Sequence, residues 1–222
     1  MKKATNIKEA NTIELLDMKA AAKHARIYIE GDTDLVLNKM NARNTRALLT
    51  EDRKKIRETP NVWEDIITAI HWRDPLPVSA DETYEKCDKE MMMELLKNNA
   101  PCITAFGLKK SFGQAVVRNG IDTYSTKFDV SLNIQGSMGK IPVEFAAWAV
   151  DERLMSPKKG APVTVRLNHF SGWKANFTID YSEHVYSINE IVNIINLAGF
   201  GLGIGSGRSS GYGRYHVVKV EG

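Results

Sequence analysis

The sequence has little cysteine: Cys87 and Cys102 are the only two in 222 residues. They give no disulfide framework and no cysteine-built zinc cluster, so a reduced intracellular compartment is the default. Long apolar runs are also missing. Residues 1–23 carry charges throughout, with no apolar run of signal-peptide length, and nothing approaches the ~20 apolar residues of a membrane span. The expectation is a cytoplasmic protein with no membrane partner. Charge of one sign is scarce as well. A net charge of +3 and a pI of about 8.7 permit nucleic-acid binding without arguing for it. The five histidines (His24, His71, His169, His184 and His216) show no compact metal-ligand spacing, and no nucleophile elbow occurs. No metal and no cofactor is expected.

What is present is enough apolar material, 43% of the chain, for one sizeable core. The first firm strand falls at residues 25–31, where Ile27 and Ile29 alternate with Tyr28 and Glu30. Strand-like alternation then stops. Residues 50–58 predict a charged, exposed helix capped by Thr50, in which Arg53, Lys54, Lys55 and Arg57 are offset by acidic neighbours. Residues 62–70 and 84–98 predict two more helices, with a turn at 72–77. Residues 32–99 therefore read as a helical insertion. Residues 12–18 suit a short strand or a helical turn.

Beyond it the pattern is more regular. An approach loop at 101–107 leads into a helix at 108–119, stopped by Gly120. Residues 127–134, 141–150, 162–170 and 174–181 predict strands, with a hairpin turn at 170–173. Ser187 and Glu190 form a capping box for a helix whose apolar face carries Ile188, Ile191, Val192 and Ile195. A final strand covers 215–220. Without its insertion this order is βαββαβ, a ferredoxin-like (RRM-like) α+β plan: one antiparallel sheet with helices on one face. The chain is expected to be a single domain, 1–222.

Residues 199–213 contain seven of the chain's sixteen glycines. Such density is costly to order and needs a reason. A Walker loop is excluded, because no lysine lies in this segment and it follows a helix instead of opening one. The dinucleotide fingerprint fails on the same element order. The segment does resemble the glycine-rich loop of the RAMP superfamily, RNA-binding proteins of CRISPR effector complexes. The likeness lies in Gly203-Ile-Gly205-Ser-Gly207-Arg208 and Gly211-Tyr-Gly213-Arg214-Tyr215, placed between the last helix and the last strand. The proline-containing stretch from Pro101 to Lys109 and Lys110 is similar to a second feature of that superfamily. Phage proteins of this layout are also similar.

The resemblance implies RNA-backbone contact by the loop and nearby basic residues. By position these are Gly203, Gly205, Gly207, Arg208, Gly211, Gly213 and Arg214, with Lys109 and Lys110. Guanidinium and amide groups suit phosphates, and glycines permit close approach. Trp173, Tyr212 and Tyr215 are candidates for stacking on bases, Tyr212 first because the glycines around it leave it little to pack against. The turn at 157–160 could extend a phosphate track through Lys158 and Lys159. Cys102 and the Asp32–Asp34 segment read as structural.

The leading expectation is a non-catalytic protein of phage or mobile-element type that grips single-stranded nucleic acid, RNA ahead of DNA. It would self-associate along the strand or join a CRISPR-type complex. The alternatives are a metal-independent endoribonuclease of the same fold, acting through a histidine, and a protein that inhibits or caps a CRISPR complex through its insertion.

Overall fold

A computed structural model describes residues 22–49, 61–77, 86–136, 139–155 and 163–222. The expectations for residues 12–18, for the charged helix at 50–58 and for the basic turn at 157–160 lie outside the described residues.

The strands are β1 (Lys23–Gly31), β2 (Leu35–Leu37), β3 (His71–Trp72), β4 (Pro101–Thr104), β5 (Leu132–Ile134), β6 (Lys140–Glu144), β7 (Ala147–Met155), β8 (Val163–Ser171), β9 (Lys174–Tyr181) and β10 (Tyr215–Glu221). The helices are α1 (Ala42–Leu49), α2 (Val62–Thr68), α3 (Lys89–Asn98), α4 (Ala105–Arg118), α5 (Thr126–Ser131) and α6 (Ile188–Gly201). Among the described residues, no helix is long and apolar enough to cross a membrane.

The larger sheet runs β10–β1–β9–β6–β4–β3, antiparallel throughout. β5 shares the β6 edge of β9: it pairs with residues 179–181, while β6 pairs with Lys174 and Ala175. Period-2 burial explains the sheet. Ala25, Ile27 and Ile29 of β1 and Ala175, Phe177, Ile179 and Tyr181 of β9 are buried. Against this face lie α4, through Leu108, Phe112, Ala115 and Val116, and α6, through Ile191, Ile194, Ile195 and Ala198. Both sets repeat at the i, i+3/i+4 spacing of one helix face. Phe112 ties the layers together, 6.2 Å from the ring of Phe177 and edge-on to Phe128.

The chain does not form the single expected sheet. A second, three-stranded sheet runs β2–β8–β7. The apolar run at 141–150 is two strands, β6 and β7, broken at Phe145–Ala146 and placed in different sheets. Residues 170–173 are no hairpin turn. β8 pairs with β2 and β7, whereas β9 pairs with β1, β5 and β6, so Gly172 carries the chain from one sheet to the other. The strand expected at 127–134 starts instead as α5. Phe128 and Leu132 are buried but Val130, which alternation would bury with them, is 80% exposed. An i, i+4 pair fits a helical turn as well as it fits a strand. The approach loop at 101–107 is β4 followed by the first turn of α4.

The stretch 32–99 contributes α1, α2 and α3, and also places β2 and β3 into the two sheets. Buried Asn168 of β8 anchors α2: its amide donates to the Ile66 carbonyl at 3.0 Å, and its oxygen accepts from the Trp148 indole at 3.0 Å. Buried Glu64, paired with Arg46 at 2.6 Å, holds α1 against α2.

Candidate nucleic-acid interface

α6 starts at the capping box read from the sequence. The Ser187 hydroxyl accepts from the Glu190 amide, and the Glu190 carboxylate accepts from the Ser187 amide at 2.7 Å. That backbone hydrogen bond, more than any other influence, holds the Glu190 carboxyl below the usual range. α6 runs to Gly201, and the glycine-rich segment then folds back over the start of β2.

This segment is a pinned unit. The Ile204 amide donates to Gly213 O at 2.9 Å, the Ser206 amide to Val36 O at 2.8 Å and the Gly213 amide to Asp34 O at 2.8 Å. The Thr33 hydroxyl donates to Gly211 O and accepts from the Arg214 amide. The Ser111 hydroxyl of α4 donates to Gly203 O at 3.1 Å. Two glycines show why side chains are excluded. Gly205 has φ +83°, and a Cβ there would lie 2.5 Å from Val36 O. Gly213 has φ +70°, and its Cβ would lie 1.8 Å from Ile204 O. Glycine is needed at 205 so that the loop can lie against the backbone of β2, and at 213 so that it can close on its own.

The loop forms one wall of a cavity of about 230 Å³. The end of β2 and the residues after it supply Lys39, β3 supplies His71, the α4 N-terminus supplies Thr104 and Lys110, and the loop supplies Ser206 and Arg208. Among the described residues, no carboxylate lines the cavity. Among the described residues, Lys39, Lys110 and Arg208 form no ion pair, and the His71 imidazole has no hydrogen-bond partner. Partial burial first, then the charges of Lys39 and Lys140, hold His71 below the ordinary imidazole range. Burial and Lys140 likewise lower Lys39. Lys140 is fixed nearby, donating to Trp72 O at 2.6 Å. The Thr104 hydroxyl caps α4 by accepting from the Gly107 amide at 3.0 Å, so the positive end of a 14-residue helix opens on the same cavity.

The sequence-derived candidates separate in this geometry. Lys110, Gly205 and Arg208 line the cavity. Gly203 and Gly213 are buried, while Gly207 and Gly211 flank the short 3-10 turn Arg208–Ser210. Lys109 faces a different groove along α4. Arg214 donates to Phe200 O at 2.9 Å and so satisfies the C-terminal end of α6. Tyr212 does have packing partners. Its hydroxyl accepts from Arg153 Nη2 at 2.8 Å, and its ring stands edge-on to His169 at 5.0 Å. Trp173 cannot serve as a stacking platform. It is 1% exposed, its indole donates to Thr33 O at 2.8 Å, and it packs edge-on against buried Tyr215.

Cys102 is fully buried, and burial pushes its thiol up to about 11. His24 pairs with Asp180 and His216 with Asp32, each within 2.7 Å, and His169 stands 3.6 Å from Asp34 and 3.9 Å from Asp151. Lys39 and His71 were missed from sequence. The local signal is that each follows a buried apolar stretch within two residues, Leu35–Leu37 or Ala69–Ile70, where a polar residue marks the rim.

The chain matches no protein-family model, and no curated protein matches it. Among solved structures it is similar to a chain of type III-B Cmr-beta bound to cognate target RNA. The identity is 13% and the TM-score 0.47, over 91% of this chain and 61% of that one, less than two thirds of its length. It is also similar to Cmr6 from Pyrococcus furiosus, at 9% identity and a TM-score of 0.38, over 92% of this chain and all of that one.

Proposed function

We propose that this chain is a RAMP-type protein that binds the backbone of single-stranded nucleic acid, RNA ahead of DNA, in the cavity beside its glycine-rich segment. One observation carries the reading. Three cations, Lys39, Lys110 and Arg208, and the His71 imidazole surround a cavity that no carboxylate lines among the described residues. Unpaired like charges held together are unfavourable until an anion arrives, and a phosphodiester is the anion that recurs along a strand. The ferredoxin-like reading is supported by the order β10–β1–β9–β5/β6 with α4 and α6 on one face. On this reading 1–222 is one domain and 32–99 an insertion that lends Lys39 and His71 to the site.

The test is binding of a fluorescent 15-nucleotide single-stranded RNA across a salt series. Replacing Lys110 and Arg208 together with alanine is expected to weaken binding at least tenfold. It should also flatten the log–log salt slope by about one for each phosphate no longer neutralised. Parent-like affinity and slope in the double variant would reject the site.

A second reading, an endoribonuclease, is favoured by His71. Of the five histidines it alone lines the cavity. A depressed pKa leaves its imidazole neutral, able to take the proton of a ribose 2′-hydroxyl. That oxygen would attack the adjacent phosphorus and expel the 5′-oxygen, which takes a proton from solvent and leaves as a hydroxyl, giving a 2′,3′-cyclic phosphate; the three cations offset the developing charge, and the imidazolium returns its proton to solvent. The expected result is RNA cleavage in EDTA that is abolished in His71→Ala. Intact RNA with the parent protein leaves the binding reading alone.

A further inference from the structure

We propose that Phe106, with the groove beside it on α4, forms a nucleobase-stacking subsite next to the phosphate cavity; this rests on the phosphate reading above. Phe106 is the second residue of α4, and the Thr104 cap fixes the turn that carries it. Leu108, two residues on, is fully buried, whereas Phe106 is 77% exposed. A large aromatic ring displayed at a helix start next to a basic cavity is how single strands are held without sequence reading.

The groove has a volume of about 620 Å³ and is lined by Phe106, Lys109, Lys110, Gln114, Val117 and Arg118 among others. Asp129, the one carboxylate among its described lining residues, is engaged by the Ser125 hydroxyl at 2.7 Å. Lys109, Lys110 and Arg118 form no ion pair among the described residues. A neutral apolar segment would leave these three cations uncompensated at the rim. A nucleotide places its base on the ring and its phosphates near the ammonium and guanidinium groups.

Lys110 links the two cavities. It lines both, and its ammonium lies 6.0 Å from the Phe106 ring centroid. The smaller cavity, bordered by Lys39, His71, Lys110 and Arg208 and, among the described residues, by no Phe, Tyr or Trp side chain, suits a phosphate. The larger one, with the ring, suits the base that follows. The strand therefore passes from the glycine-rich segment over the start of α4, with Lys110 between phosphate and base.

Two ligands separate this proposal from the reading beneath it: a mixed-sequence 15-nucleotide single-stranded RNA and inorganic polyphosphate, a polyanion without bases. The parent chain, residues 1–222, is expected to bind both. Phe106→Ala, at an exposed position, should weaken the oligonucleotide by about tenfold or more, in the range that one base–aromatic stack contributes. Its affinity for polyphosphate should stay at the parent value. Phe106→Trp should retain oligonucleotide affinity, and its added emission should be quenched by the oligonucleotide but not by polyphosphate. The subsite is overturned if Phe106→Ala binds the oligonucleotide like the parent while the Lys110/Arg208 double variant binds neither ligand. It is overturned equally if Phe106→Ala lowers the light-scattering mass with binding intact, which makes the ring a contact between copies. A parent that binds neither ligand overturns the phosphate reading, and the subsite with it.

Discussion

Gly213 lies where its own chain leaves no room for a side chain, with φ +70° and Ile204 O in the place a Cβ would take. Gly211, two residues before it, has φ +87° but open space around the same position. The pair separates two costs that glycine-rich segments usually mix. Gly211→Ala is expected to cost only the left-handed conformation, about 1–2 kcal/mol. Gly213→Ala adds a backbone collision, so its cost should exceed that and its melting temperature should fall further. Thermal unfolding of the two variants side by side checks this, and equal shifts would show that backbone closeness is not what selects glycine at 213. The aromatic residues give the complementary lesson. Trp173 and Tyr212 look alike from sequence, each beside glycine and basic residues. The fold separates them: Trp173 is sealed by the Thr33 carbonyl and Tyr215, whereas Tyr212 is half-buried, its hydroxyl held by Arg153 and its ring edge-on to His169.

The elements that were legible are those whose signals are local. α6 carries both halves of its capping box within four residues, and its apolar face repeats at helical spacing, so its start was readable at Ser187. β1 and β9 alternate cleanly because one face meets a core and the other does not. Where two periods coincide, the sequence is ambiguous. Phe128 and Leu132 serve a strand face and a helical turn equally, and the Ser125 hydroxyl donating to Asp129 supports the helical turn. The join between β6 and β7 was unreadable for a different reason. Both strands are extended and apolar, and a change of sheet is a tertiary event that leaves only Phe145–Ala146 as a break. The same holds at Gly172, whose φ of +58° fits a hairpin turn and a crossover alike.

At the scale of the whole molecule the site is a meeting of segments that the sequence keeps apart. Lys110 and Arg208 could be named beforehand, since both border the glycine-rich segment or the helix that receives it. Lys39 and His71 could not, because they reach the cavity only through β2 pairing with β8 and β3 pairing with β4. This assembly has a consequence for pH. In the unliganded fold, His71 is depressed by burial, Lys39 and Lys140, so the unfolded chain takes up the proton first. Its contribution to stability therefore disappears as pH falls below the ordinary imidazole pKa of about 6.5. A bound polyanion reverses the sign locally, because phosphate charge favours the imidazolium and raises the pKa of His71 in the complex. Binding should then take up a proton, and affinity for polyphosphate should rise as pH falls from about 7.5 to about 5.5, spanning that ordinary pKa. His71→Gln, uncharged at every pH, should keep the affinity of the neutral form and lose most of this rise. Fluorescence competition at a series of pH values measures it directly. A variant whose pH slope matches the parent's would place the proton on another group and remove His71 from the residues that touch the anion.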